Sequence, residues 1–199
     1  MPARIRERRR SLRKLIMTVF LFLAGMQTLG YGQGILEVKI IALTGHLRKN
    51  HNPHLYKLKL DKKGRLAFPI GIALGIEYFL YQNHLAVKFV QSLMLDCGFQ
   101  PAGFSHLGFR LHVQKGRHAL AIGNGPTLFY RRDWSHLPNY VDEGLFRRAA
   151  NCQYIFFWYA GEVEYIYTRR NKPDFTLTFI PGPPIFFTIA PGWRFVNGG

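Results

Sequence analysis

Acidic side chains are scarce in this chain: 11 Asp and Glu face 27 Lys and Arg across 199 residues, leaving a formal net charge of +16. So basic a balance is the usual mark of nucleic-acid binding, a reading that the patterning described below argues against. Cysteine is nearly missing, and Cys97 and Cys152 can form at most one bridge. Beyond residue 32 no apolar run is long enough for a membrane helix, which excludes a helical bundle in a bilayer. Glycine-rich phosphate loops are lacking too, since Gly123, Asn124, Gly125 and Pro126 come without the Lys and Ser or Thr such a loop needs. His46, His51 and His54 have no metal-site companions and read as loop histidines, so neither a metal nor a cofactor is expected.

What the chain has is alternation. From Phe68 to Tyr81, Phe68, Ile70, Ile72, Leu74, Ile76, Tyr78 and Leu80 share one parity, and Pro69, Gly71, Ala73, Gly75 and Glu77 the other. Successive strand side chains point to opposite faces, so one face is a wide apolar band and the other tiny or charged. Gly and Ala beside a single Glu suit the crowded inside of a small barrel whose outer wall meets lipid. The pattern returns at Leu85–Leu95, with Gln91 as a misfit, at Gly103–Val113, and at His118–Arg131, where Phe129 breaks the rule. In the next strand Ile155, Phe157, Tyr159, Val163, Tyr165 and Tyr167 are expected outside, with Phe156, Trp158, Ala160, Glu162 and Glu164 inside. The last strand sets Ile185, Phe187, Ile189, Trp193 and Phe195 against Thr188, Ala190, Gly192 and Arg194. With Phe175–Pro181 and a less regular first strand around Val38–Leu47, the total is about eight strands. The expected fold class is all-β, an up-and-down antiparallel transmembrane barrel, and a mean hydropathy near zero agrees with it.

Residues 1–32 read as a signal peptide: seven Arg and Lys before Leu15, a short apolar stretch to Ala24, and small residues at Gly30 and Gly32 near the cut. They carry +6 of the charge, so the barrel domain, 33–199, keeps +10. Short connections at Gln82–His84, Gln114–Arg117 and Arg169–Lys172 alternate with long ones at Arg48–Arg65 and Arg132–Cys152. Short turns are periplasmic and long loops extracellular in barrels of the bacterial outer membrane, the expected location. The basic residues Arg48, Lys49, Lys57, Lys59, Lys62, Lys63, Arg65, Arg131 and Arg132 would then face the phosphates of lipopolysaccharide. Phe157, Tyr159, Tyr165, Tyr167, Phe187, Trp193 and Phe195 are the expected membrane-interface aromatics. Cys97 and Cys152 map to the outer ends of strands that are not neighbours, which leaves their pairing open.

The inward parity collects Glu77, Lys88, His106, Arg110, His112, Glu162, Glu164 and Arg194. Buried charge has to be paired, so mixed signs on several strands point to a closed, plugged lumen rather than a pore. A closing strand rich in aromatics resembles the C-terminal signature of bacterial outer-membrane barrels. The architecture as a whole resembles the small OmpA and OmpX type, in which barrels serve membrane integrity, adhesion, lipid modification or larger assemblies. The expected role is non-enzymatic, structural or in interaction, including that of an accessory subunit of an outer-membrane assembly, with outer-membrane lipids, lipopolysaccharide and other outer-membrane proteins as partners and no nucleic acid. Two alternatives stand beside it. One is a lipid A-modifying, deacylase-like barrel, although the His-x-Ser-Asn wording of those enzymes is missing and only Ser105–His106 and Trp134–Ser135–His136 offer Ser beside His. The other is a soluble periplasmic lipocalin-like barrel with its apolar face turned inward.

Overall fold

The computed structural model describes residues 34–46, 51–182 and 186–196. Residues 1–33, which include the expected signal peptide, and the rim residues Arg48 and Lys49 lie outside the described residues.

Eleven strands form one sheet: β1 (Gly34–Ile41), β2 (Leu43–His46), β3 (Leu66–Ala67), β4 (Ile70–Tyr81), β5 (Leu85–Leu95), β6 (Pro101–Lys115), β7 (His118–Arg132), β8 (Arg147–Ala149), β9 (Cys152–Tyr167), β10 (Asp174–Gly182) and β11 (Phe186–Val196). The order β1-β4-β5-β6-β7-β9-β10-β11 closes on itself because β11 pairs β1, with Ile35 opposite Val196 and Lys39 opposite Gly192. Every pairing is antiparallel, so the wall is an eight-stave up-and-down barrel. β2 and β3 continue two of the staves upward, and β8 adds a short ribbon beside β9. Tight turns at the lower rim, where Gly34 and Val196 lie, use residues that tolerate the left-handed region: Asn83 at φ 59°, Gly116 at 62° and Asn171 at 56°. The upper rim carries the longer connections, capped by two single-turn 3₁₀ segments, Pro53–Leu55 and Trp134–His136.

The barrel is inside out relative to a soluble protein. Ile72, Leu93, Phe109, Leu111, Val113 and Ile122 lie on the outer wall, each more than half exposed. Glu37, Glu77, Lys88, Arg110 and Glu164 are wholly buried inside. The apolar parity thus faces out, opposite to the lipocalin arrangement. Inner glycines make room for long side chains: a Cβ on Gly123 would meet Arg110 Cγ and Glu162 Cγ at 2.9 Å.

One stave departs from the expected parity. Gly125 pairs Ala160 and Thr127 pairs Phe157, so three steps along β9 match two along β7. The extra residue is a β-bulge, and it sits opposite Pro126, which has no N–H to donate. The ladder to β6 also skips Leu107 and Gly108 there. A one-residue bulge reverses every side chain beyond it. Phe157 therefore turns into the barrel instead of joining the interface aromatics, and Phe156 and Trp158 turn out, 45% and 70% exposed. Phe129 keeps the inward parity of β7 and lines the interior as an apolar residue.

Candidate functional site

Charge fills the middle of the barrel. Arg110 on β6 reaches four carboxylates: Nη1 lies 3.4 Å from Glu37 and 3.1 Å from Glu77, Nε 2.9 Å from Glu162, and Nη2 3.0 Å from Glu164. Lys88 on β5 lies 2.6 Å from Glu37, 3.6 Å from Glu162 and 3.5 Å from Glu164. Arg194 on β11 pairs Glu77 at 3.0 Å and Glu37 at 3.6 Å, and Lys39 on β1 pairs Glu37 at 3.0 Å and also Glu164. Thr178 Oγ1 donates to Glu164 at 2.6 Å, and His112 meets Glu77 from below. Four carboxylates thus face Lys39, Lys88, Arg110 and Arg194, a balanced set in which each buried charge has an opposite neighbour.

Of the eight inward residues read from parity, seven meet in this network, and Glu37 and Lys39 join them. Both were legible in principle, because Leu36, Val38 and Ile40 alternate with Glu37 and Lys39 along β1. His106 stands apart: its Nδ1 lies 2.7 Å from Thr127 Oγ1, and its Nε2 is buried without a hydrogen-bond partner. It borders a cavity of about 60 Å³ above the charges, lined chiefly by Ile41, Val90, Met94, Phe104, Phe129 and Phe157.

The upper mouth is a second cluster. Tyr56, Ala67, Cys97 and Trp134 pack together, with Leu55, Leu137 and Tyr140 against them. Asp96 accepts from Trp134 Nε1 at 2.8 Å and from the backbone N–H groups of Gly98 and Gln100, both at 2.9 Å. Burial still carries its carboxyl above the usual range. Burial and the neighbouring Asp96 push the Cys97 thiol up to about 12. Cys97 Sγ lies 3.6 Å from His46 Nε2, and both cysteines are free. The two long loops are clasped by Asn52, whose Nδ2 donates to Val141 O at 2.9 Å while its Oδ1 accepts from Val141 N at 2.8 Å.

The basic residues divide. Lys57, Lys59, Lys62, Lys63, Arg65 and Arg132 are exposed on the upper rim. Arg131 is not among them: it points into the mouth, its guanidinium 4.0 Å from the Trp134 ring centroid and 3.9 Å from that of Phe146, and its Nε donates to Gln153 at 2.8 Å. Its inward parity on β7 outweighs its charge, because the aromatic stack and hydrogen bonds replace water. Among the expected aromatics, Trp193 and Phe195 are outside near the lower rim, with Tyr165 hydrogen-bonded to His118 and Tyr167 packed against it at a tilt of 49°. Tyr159 is 82% exposed beside the bulge, and Phe187 lies against Phe179 near the upper rim.

Neither Ser–His neighbour pair forms a catalytic arrangement. Ser105 is on the outer wall, donating to Gln91 at 2.7 Å, whereas His106 is inside. Ser135 Oγ donates to Asp133 at 2.7 Å. Gln91, the misfit of the apolar band, also reaches Tyr130 OH at 2.5 Å, so its amide is satisfied on the outer wall.

No protein-family model matches this chain, and no curated protein matches it in sequence. Among solved structures it is similar in general outline to the N-terminal β-barrel domain of Pseudomonas aeruginosa OprF, at TM-score 0.44 and 10% identity over 83% of this chain and 100% of that one. A second likeness is to Ail, the attachment invasion locus protein of Yersinia pestis, solved with the heparin analogue sucrose octasulfate. There the TM-score is 0.42 and the identity 10%, over 82% of this chain and 99% of that one.

Proposed function

We propose that the chain is a non-enzymatic β-barrel of the bacterial outer membrane, with a structural or interaction role at the outer leaflet. The observation that carries this is the reversal of polarity: a balanced ionic network fills the closed barrel, while Ile72, Phe109, Leu111 and Ile122 form an exposed apolar wall. In water such a wall would drive aggregation, whereas lipid is its matching solvent, and a closed barrel leaves no sheet edge in it. A signal peptide cut near Gly32 delivers the chain across the inner membrane. In the cell, the protein is expected in the heavy, outer-membrane fraction and resistant to alkaline extraction; recovery in the soluble periplasmic fraction would overturn the assignment.

The exposed rim cations Lys57, Lys62, Lys63 and Arg65 have Asp61 as their near acidic neighbour, and the Asp61 carboxylate is engaged by the Leu66 and Lys63 N–H groups. Exposed ammonium and guanidinium groups above an apolar band fit the phosphates of lipopolysaccharide. Replacing these four by Gln is expected to weaken binding to lipid A vesicles at least tenfold at low salt. The wild-type interaction should fall as salt rises, and salt-independent, variant-independent binding would remove this role from the loop.

A further inference from the structure

We propose that two neighbouring turns on the lower rim form a binding site for the headgroup of an anionic phospholipid that carries two phosphates, the cardiolipin class. This rests on the membrane setting proposed above and concerns the leaflet opposite the one that the basic upper loops face.

The site begins with charge that lacks a counter-charge. Between Cys97 and Arg132 the sequence holds no Asp or Glu, and from Tyr165 to Gly199 it holds Asp174 alone. The β6–β7 turn exposes Lys115 and Arg117, and the β9–β10 turn exposes Arg170 and Lys172. Among the described residues none of these four side chains has an ion pair or a hydrogen bond. Asp174 does not compensate them, because it is buried and its Oδ1 accepts from the Arg169 N–H at 3.2 Å. The third described turn of that rim, at Gln82, Asn83 and His84, has no Lys or Arg, so the positive charge is confined to one sector of the rim.

The fold holds the two turns together. Thr168 N–H donates to Arg117 O at 2.8 Å, tying the tip of one turn to the start of the other. Lys115 pairs His118 across a two-residue tip in which Gly116 takes φ 62°. In the second turn Arg169 bends back, its Nε donating to Pro173 O at 2.7 Å, and Asn171 takes φ 56°. Arg169 is thereby committed to the backbone, while Arg170 and Lys172 flank the left-handed tip. Two strand spacings of ~4.8 Å put the turn centres roughly 10 Å apart. Two cation pairs at that spacing suit two phosphates joined through one glycerol, with Arg offering a planar fork and Lys a point charge.

Depth favours a lipid headgroup over a free phosphate. Lys115 continues the outward parity of Leu111 and Val113 on the wall. Just above the turns, at the seam of β7 and β9, His118 meets Tyr165 OH at 2.6 Å and packs against Tyr167. Rings with a polar tip form such a belt where the apolar band meets water. Cations directly below the belt lie at headgroup level, where each Lys or Arg strengthens attachment to an anionic surface about fivefold. Leu120, Ile122 and Val163 continue the seam upward as an apolar track for the acyl chains.

The test titrates the full mature chain, folded in mild detergent, with cardiolipin, phosphatidylglycerol or phosphatidylethanolamine and counts bound lipid by native mass spectrometry. The expected result is one retained cardiolipin, bound at least tenfold more tightly than either other lipid. Combining Lys115→Gln, Arg117→Gln, Arg170→Gln and Lys172→Gln should weaken that binding at least tenfold while the heat-induced gel transition stays in place. Should the fourfold variant fail to fold, the two double variants, one per turn, are each expected to weaken it at least fivefold. Equal retention of all three lipids, or variants that bind as the wild type does, would overturn the site while leaving the barrel in its membrane. Phosphatidylglycerol matching cardiolipin would overturn the two-phosphate match, and displacement of the lipid by equimolar inorganic pyrophosphate would assign the turns to a free phosphate instead. The membrane setting fails by a separate observation, recovery of the protein in the soluble periplasmic fraction.

Discussion

Arg110 pairs with Glu37, Glu77, Glu162 and Glu164 from one planar fork, its Nη1 donating to Glu37 and Glu77, and among the described residues no other single side chain meets as many carboxylates. Removing one partner of a buried ionic set leaves uncompensated charge, at a cost of ~3–5 kcal/mol. Arg110→Met should lower the temperature at which the folded, fast-migrating gel band converts to the unfolded one, and an unchanged transition would show that the network adds nothing to stability. Cys97 offers a milder test. With burial holding its thiol near 12, on the order of one molecule in ten thousand carries a thiolate at pH 8. Iodoacetamide should therefore modify Cys152 in the folded protein and Cys97 only after unfolding, as read by mass spectrometry. Most of the buried charges were legible because parity alone assigns a face. Arg131 was legible in its inward parity on β7 but not in its partners, since Trp134 and Phe146 lie in a loop whose path no local period encodes.

At the level of elements, the strands could be read from alternation, and the bulge in β9 could not. Its cause is spread over two strands: Pro126 on β7 withholds a donor, and β9 takes up the mismatch with one extra residue. The run from Ile155 to Tyr159 is apolar or aromatic at every position, so neither parity was disfavoured by composition. Trp158 consequently lies outside and Phe157 inside, the reverse of a bulge-free strand. Bilayers of lipids brominated along their chains distinguish the two registers. In single-tryptophan variants, Trp158 and Trp193 should be strongly quenched and the mouth residue Trp134 hardly at all. Quenching of Trp134 matching that of Trp158 would contradict the bulged register.

At the largest scale the described barrel, residues 34–196, is a stack of layers inside one wall. The ionic layer occupies the middle, the apolar chamber lies above it, and the Tyr56–Trp134 cluster with its Asn52 clasp closes the mouth. An eight-stranded barrel has an interior that side chains can fill. Here the filling is charged, and a permeating ion would have to separate contacts such as Lys88 with Glu37 at 2.6 Å and Arg110 with Glu162 at 2.9 Å. Each separation would strand a charge in a region with little water. The protein reconstituted in a planar bilayer should thus give no stepwise current at moderate voltage, and Arg110→Ala, which shortens the residue at the centre of the plug, should be the variant most prone to leak. Discrete, reproducible wild-type steps would mean that the ionic layer opens as a unit, and the barrel would then have to be understood as a gated path instead of a plug.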